Sequence, residues 1–257
     1  MPKITAIIPT YNEESNIRPL LSSLDWVNEI IVVDSFSTDN TVSIAQEFNI
    51  RLLQREYMNS ANQKNWTIPQ ARYSWILLLD ADERLTPELL EELQAFQQKD
   101  GSAVEEDGYW IGRQIFFMGQ KIKYSGWRRD RVIRLFRRDK CRYSDKQVHA
   151  EIITKDRILG QLNAKLEHYT YRNLNHFLAK MERYSDWAAQ DYFQKTPKVG
   201  LFHLGFKPVA RFLKHYLWQG GFLDGRVGFI ISILMAWGVF LRYAKVRELQ
   251  LEKTPKP

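Results

Sequence analysis

Two aspartates one residue apart, Asp80 and Asp82 in the stretch WILLLDADE, are the clearest chemistry-bearing pair in the chain. Carboxylates at that spacing can grip one hard divalent cation, Mg2+ or Mn2+, and such an ion also takes phosphate oxygens as ligands. Chemistry on a phosphate-bearing substrate is therefore the expectation. A second set lies in YSDKQVHAEI, where Asp145, His149 and Glu151 are candidates to accept a proton from a hydroxyl nucleophile. On a strand, His149 and Glu151 would point to one face and serve one site together. A third set is the basic run RRDRVIRLFRRDKCR. It reads either as a strand with a solvated basic face, or as the source of one or two guanidinium groups, from Arg128, Arg131 and Arg134, for a diphosphate or an anionic acceptor.

Elements must place these groups. The unbroken apolar run Trp75 to Leu79 predicts a strand buried on both faces, ending where ligands of open α/β sheets bind, beyond the strands' carboxyl ends. The helix that follows already has a cap in Thr86 and Pro87, so Asp80 and Asp82 are not needed for that duty. Upstream, Lys3 to Pro9, Glu29 to Val33 and Arg51 to Gln54 read as strands, with helices over Glu13 to Leu24, from Asn40 or Thr41 to Phe48, and over Asn59 to Ala71. This alternation predicts βαβ units and a mainly parallel sheet. The loop after the first strand offers Tyr11 as a face on which a nucleobase could stack. Asp34, with Asp39 serving as the cap, is the candidate to accept N–H groups from a ligand.

The chain has 257 residues with 44% apolar composition, enough for one large domain or a domain with an appendage. The single cysteine rules out an internal disulfide, and the N-terminus runs directly into a strand, which together predict a reducing, cytoplasmic setting. A formal charge of +7 calls for an anionic partner. Nucleic acid is disfavoured, because no nucleic-acid-binding motif accompanies the basic run. Neither GxGxxG nor GxxxxGK[ST] occurs, which disfavours dinucleotide dehydrogenases and P-loop enzymes and leaves a metal as the phosphate-handling device.

PTYNEE at Pro9 to Glu14, VVDSFSTDNT at Val32 to Thr41, the Asn62, Gln63, Lys64 segment and LLDADE at Leu78 to Glu83 resemble, in order and spacing, glycosyltransferase family 2 on a GT-A fold. The resemblance implies a nucleotide-sugar donor, usually a UDP-sugar, and inversion at the anomeric carbon. Position by position it implies that Pro9, Tyr11 and Glu13 border base and ribose, that Asp34 binds the uracil edge and that Lys64 stands near the donor. In the DXD pattern it puts Asp82 on the cation and Asp80 on the ribose or the metal shell. YSDKQVHAEI is similar to the Val-His-Glu of one branch of the family, with Ala150 inserted between His149 and Glu151, so the base stays open among Asp145, His149 and Glu151.

After Asn175 the hydrophobic period becomes helical. Residues 1–172 are expected to form the transferase domain, with 1–100 as its nucleotide-sugar half and 101–172 as its acceptor half, and 173–257 a helical extension. His168 reads as a core or junction residue, and GGFLDGRVG as a flexible turn. Val227 to Leu241 lacks any charge, is short of the roughly 20 residues a spanning helix needs, and is closed by Arg242, Lys245 and Arg247. An interfacial helix on the cytoplasmic membrane face is expected, the competing reading being a buried helix or an oligomer interface. The tail also resembles those of bacterial lipopolysaccharide-core and cell-envelope glucosyltransferases, which implies a lipopolysaccharide-core or lipid-linked saccharide acceptor. The alternatives are a polyprenyl-phosphate sugar synthase and a non-catalytic membrane-associated nucleotide-sugar-binding protein.

Overall fold

The computed structural model describes residues 1–144, 151–154, 158–171 and 173–252. By packing, the chain forms two units: Met1–Arg113 with Asp130–His168, and Gln114–Arg129 with Tyr169 onward. A cut at residue 172 follows helical content alone. Residues 114–129 go with the helices because Phe117, Ile122 and Trp127 share a core with Phe177, Val227 and Ile231.

The first unit opens with β1 (Ile4–Thr10), α1 (Glu14–Leu21), β2 (Glu29–Asp34), α2 (Thr41–Ala45), β3 (Arg51–Gln54), α3 (Ser60–Thr67) and β4 (Trp75–Leu78). The strands pair in parallel in the order β3-β2-β1-β4. Ile4, Ala6, Ile8 and Leu77 enter one core, whereas Ile7, Ile76 and Leu78 enter the other, so β1 and β4 are buried on both faces as their apolar runs require. Pro9 is tolerated in a central strand for a local reason. Ile7 O accepts from Leu79 N, so by the two-residue alternation the nitrogen of Pro9 faces the β4 side, where pairing has already ended at Ile7. Thr86 caps α4 (Pro87–Gln98) by accepting from Leu89 N at 3.2 Å, and Asn59 caps α3 by accepting from Asn62 N at 2.8 Å.

Parallel order stops at β4. β5 (Glu83–Leu85), β6 (Gly108–Phe117), β7 (Gln120–Lys121), β8 (Arg131–Arg137), β9 (Cys141–Tyr143), β10 (Ile152–Thr154) and β11 (Leu159–Tyr171) complete the strands. β8 lies antiparallel to β4 and to β6, and β11 antiparallel to β5, giving the mixed order β3-β2-β1-β4-β8-β6-β11-β5 with β7 beside β6. β9 and β10 form a separate two-stranded ladder.

In the second unit α5 (Leu174–Lys195), α6 (Lys207–Leu213, flanked by π-helical turns Phe202–Phe206 and Lys214–Trp218) and α7 (Gly225–Glu252) pack together. GGFLDGRVG is not a flexible turn. Asp224 accepts hydrogen bonds from Lys123 N, Tyr124 N and Ser125 Oγ, and the backbone of Gly221 presses on Gly228. A Cβ at Gly228 would come 1.9 Å from Gly221 O, backbone against backbone. Gly228→Ala is expected to destabilise the second unit by about 1–3 kcal/mol, read as a lower denaturant midpoint with an unchanged slope.

Candidate active site

The parallel register brings the carboxyl ends of β1, β2 and β4 to one edge: Thr10 is opposite Asp34, and Ile7 is opposite Leu78, two residues before Asp80. Two loops meet there through Asn12, whose N–H donates to Ser37 Oγ at 2.9 Å and whose Oδ1 accepts from Thr38 N at 2.8 Å. Asn12 and Phe36 take left-handed backbone angles, φ 53° and 61°. For Phe36 this is a strained choice, and such strain persists only where surrounding contacts impose it. It leaves Phe36 55% exposed and Tyr11 56% exposed, two aromatic faces on adjoining loops.

Asp34 is placed differently from the sequence expectation. It is fully buried, and its carboxylate accepts from Ser37 N at 3.0 Å, from Ser37 Oγ and from Gln54 Nε2 at 3.3 Å. These bonds fold the loop that carries Phe36. Pro9 is half-buried in β1, and Glu13 stands at the start of α1, with its N–H on Thr41 Oγ1 at 2.7 Å and Oε2 on Asn16 Nδ2 at 2.7 Å.

Helix α3 is the hub. Its successive polar residues reach the carboxyl ends of different strands: Gln63 Nε2 donates to Ser35 Oγ just past β2 at 2.7 Å, Lys64 Nζ lies 3.0 Å from Asp80 Oδ1 just past β4, and Asn65 pairs with both the N–H and the C=O of Tyr143 at the end of β9 at 2.8 and 2.9 Å. Lys64 also sits over the Tyr143 ring. On its other oxygen Asp80 meets Arg134, which is 3% exposed and simultaneously contacts Glu83 Oε1 at 2.7 Å. Glu83 is wholly buried, accepts the Asp80 N–H at 2.9 Å and faces Arg113 at 3.8 Å, and Arg113 in turn pairs with Asp130 at 2.8 Å. Lys64, Arg134 and Arg113 are thus matched by Asp80, Glu83 and Asp130. Desolvation opposes charge on Asp80, Lys64 and Arg134, but the Arg134 and Lys64 charges hold the Asp80 carboxyl well below its ordinary range, and Asp80 in return raises Lys64 and Arg134 above theirs.

This geometry alters two expectations. Arg131 and Arg134 are placed differently: Arg131 is exposed, 4.7 Å from the centre of the Trp110 ring, whereas Arg134 is inside, engaged by Asp80 and Glu83. Asp80 does not suit a cation either, since both of its oxygens already face positive charge. The pair that does suit one is Asp82 with His168, whose Nε2 lies 3.4 Å from Asp82 Oδ1, long for a hydrogen bond, with both side chains nearly covered. His168 Nδ1 is buried without a hydrogen-bond partner, which leaves Nε2 as the nitrogen in play. In the sequence His168 reads as a core or junction residue. Its place depends on the antiparallel β11–β5 register, in which His168 stands opposite Glu83, one residue from Asp82, and no local pattern announces a pairing between strands so far apart in the chain. An oxygen donor and an imidazole nitrogen, completed by phosphate oxygens and water, fit Mg2+ or Mn2+. Among the described residues no three His, Cys, Asp or Glu side chains are grouped to hold a metal by themselves, so a bound ion would need those substrate oxygens.

Asp145 and His149 lie outside the described residues. Glu151 is exposed and opposite Ser144, its carbonyl accepting from Ser144 N at 2.9 Å. Tyr143, at the end of β9, pairs with Ile152, and its hydroxyl is 3.4 Å from Arg134.

The chain is similar to known glycosyltransferases. An uncharacterized glycosyltransferase of Rickettsia typhi is 29% identical, across 98% of this chain and 89% of its own. The lipopolysaccharide core biosynthesis glycosyltransferase LpsC of Rhizobium meliloti is likewise 29% identical, across 94% and 93%. Among solved structures, S. aureus TarS 1-349 in complex with UDP-GlcNAc superposes with a TM-score of 0.51 at 16% identity, across 97% of this chain and 92% of that one, a likeness of fold. The fold is GT-A, and the motifs of its first half, which cradle the Lys64–Asp80–Arg134 cluster and Asp82, fall within residues 5–152, the span that matches the model of Glycosyl transferase family 2. The chain is a glycosyltransferase and belongs to that family.

Proposed function

We propose that this glycosyltransferase moves a hexose from a UDP-sugar, with inversion, onto a lipopolysaccharide-core or lipid-linked saccharide at the cytoplasmic face of the membrane. The observation that carries the donor half is the pairing of Asp82 with His168 beside a charge-matched cluster at the carboxyl edge of the parallel strands. Tyr11 and Phe36 supply stacking faces for the base. Asp82 and His168 would hold Mg2+ or Mn2+, which when bound neutralises charge on the departing diphosphate. Asp80, fixed by Lys64 and Arg134, sets the path of the chain into Asp82. Glu151, on the segment leaving Tyr143, is the assigned acceptor of the sugar-acceptor's hydroxyl proton.

The acceptor half is supported by the likeness to LpsC over nearly the whole chain. Membrane association is supported by the apolar run Gly221–Glu252, long and apolar enough to cross a bilayer by length and composition, of which Phe229, Ile233 and Trp237 are exposed. Peripheral attachment along the interface suits its flanking cations.

Calorimetry provides the test. UDP is expected to bind in the presence of Mn2+ or Mg2+ and to weaken at least tenfold when the metal is chelated, a loss of about 1.4 kcal/mol or more. A panel of UDP- and GDP-sugars assayed for metal-dependent hydrolysis should then single out UDP-linked hexoses. Binding that ignores metal would remove the metal assignment, and no nucleotide binding at all would remove the donor assignment.

A further inference from the structure

The second unit holds three cations that no carboxylate answers. Lys207 and Arg211 lie four residues apart on α6, and Arg242 projects from α7. Arg242 stacks 4.1 Å from the centre of the Tyr192 ring and 5.1 Å from that of Tyr243, and Lys207 donates to Tyr243 Oη at 2.6 Å while lying 4.4 Å from the same ring centre. Among the described residues no ion pair is formed by Lys207, Arg211 or Arg242, and the Nε atoms of both arginines are buried without a hydrogen-bond partner. Burial and the neighbouring Arg242 charge pull the Arg211 pKa down. Elsewhere this chain matches its buried cations, as Arg134 shows. Like charges converging between helices without a counter-ion are costly unless an anion joins them.

The same helices say what kind of anion. Along the α6 segment Phe206, Val209, Leu213 and Leu217 are exposed, and beyond them Leu201 at 89% and Trp218 at 90% stand almost free of the protein. A continuous apolar face of this size, ending in an exposed tryptophan and interspersed with Lys198 and Lys214, is suited to the headgroup and upper acyl layer of a bilayer. Basic crevices between helices at that depth take lipid phosphate groups.

We infer that Lys207, Arg211 and Arg242 form a binding site for the phosphate group of an anionic membrane lipid, with the exposed face of the α6 segment resting on the acyl layer. The two guanidinium groups supply paired N–H donors to the phosphate oxygens, and Lys207 supplies a point charge. The site is independent of sugar transfer, so it can be tested without any nucleotide, and its failure would leave the donor reading untouched.

The test is co-sedimentation of the full chain with vesicles of phosphatidylcholine alone and of phosphatidylcholine doped with phosphatidic acid. Doping is expected to raise the partition coefficient about tenfold or more. Arg211→Gln with Arg242→Gln should remove that gain, whereas Lys198→Gln with Lys214→Gln, an equal loss of charge from exposed positions, should leave most of it. Equal losses in both pairs would mean diffuse surface attraction and overturn the site. Should the glutamine pair fail to fold by circular dichroism, Arg211→Lys with Arg242→Lys decides: charge kept with the preference for phosphatidic acid lost supports the guanidinium site, and an unchanged preference overturns it. Inorganic phosphate titrated without vesicles distinguishes the source. Saturable binding that the glutamine pair abolishes, with vesicle binding unaffected, would assign the crevice to free phosphate and overturn the lipid assignment.

Discussion

Asp82→Asn is expected to lower turnover by about three orders of magnitude, roughly 4 kcal/mol of transition-state stabilisation, while leaving the thermal midpoint within a degree or two. The reasoning is geometric. Asparagine keeps the shape of Asp82 and one acceptor oxygen while removing its negative charge, so the substitution disturbs the packing beside His168, 3.4 Å away, very little. The same loss takes away the anionic donor of the two that would share a divalent ion with the diphosphate. His168→Ala should likewise lose metal-dependent UDP binding, with a larger fall in midpoint because a buried imidazole is removed. The check is a pair of measurements on each variant, UDP calorimetry with and without Mn2+ and a thermal melt. Full turnover in Asp82→Asn, or a large drop in its midpoint with UDP binding intact, would show a structural aspartate.

How far the chain could be read beforehand follows from the range of the interactions. The βα alternation of the first eighty residues rests on local periodicity and caps, and Asn59, Thr86 and the double-faced apolar runs of β1 and β4 all act within a few residues of themselves. Asp80 and Asp82 were legible because their strand announces its own end. The partners of those aspartates were not. Arg134 reaches Asp80 across β8–β4 pairing, and His168 reaches Asp82 through the β11–β5 register; in both cases an antiparallel strand arrives from far along the chain. A charged residue such as Arg134 in a basic run looks like surface, because nothing local reveals that the buried Glu83 and the half-buried Asp80 await it. The bonds from Ser37 and Gln54 to Asp34 were equally hidden, because a strand-end aspartate does not announce which loop it ties down.

Arg134→Met is expected to act on the fold where Asp82→Asn acts on the chemistry. Removing the guanidinium strands Glu83, which is wholly buried and keeps only Arg113 at 3.8 Å, and leaves Asp80 with Lys64 alone. Breaking a buried pair by deleting one partner costs about 3–5 kcal/mol, here a fall in thermal midpoint of roughly 6–20 °C. Adding Glu83→Gln should recover part of the loss, since the amide oxygen can still accept the Asp80 N–H and no charge is left stranded. The pH dependence separates this account from a simple packing defect. In the wild type the Asp80 carboxyl titrates well below its unfolded value of about 3.9, so its contribution is fully present above pH 4 and is lost as pH falls through the lower, folded value. In Arg134→Met the Asp80 shift shrinks, so the variant loses less on acidification. Urea midpoints measured from pH 8 down to about pH 3 should therefore converge for the two proteins. A gap that stays constant over that range would mean that Arg134 stabilises through its packing, and that Asp80 is not held in place by charge.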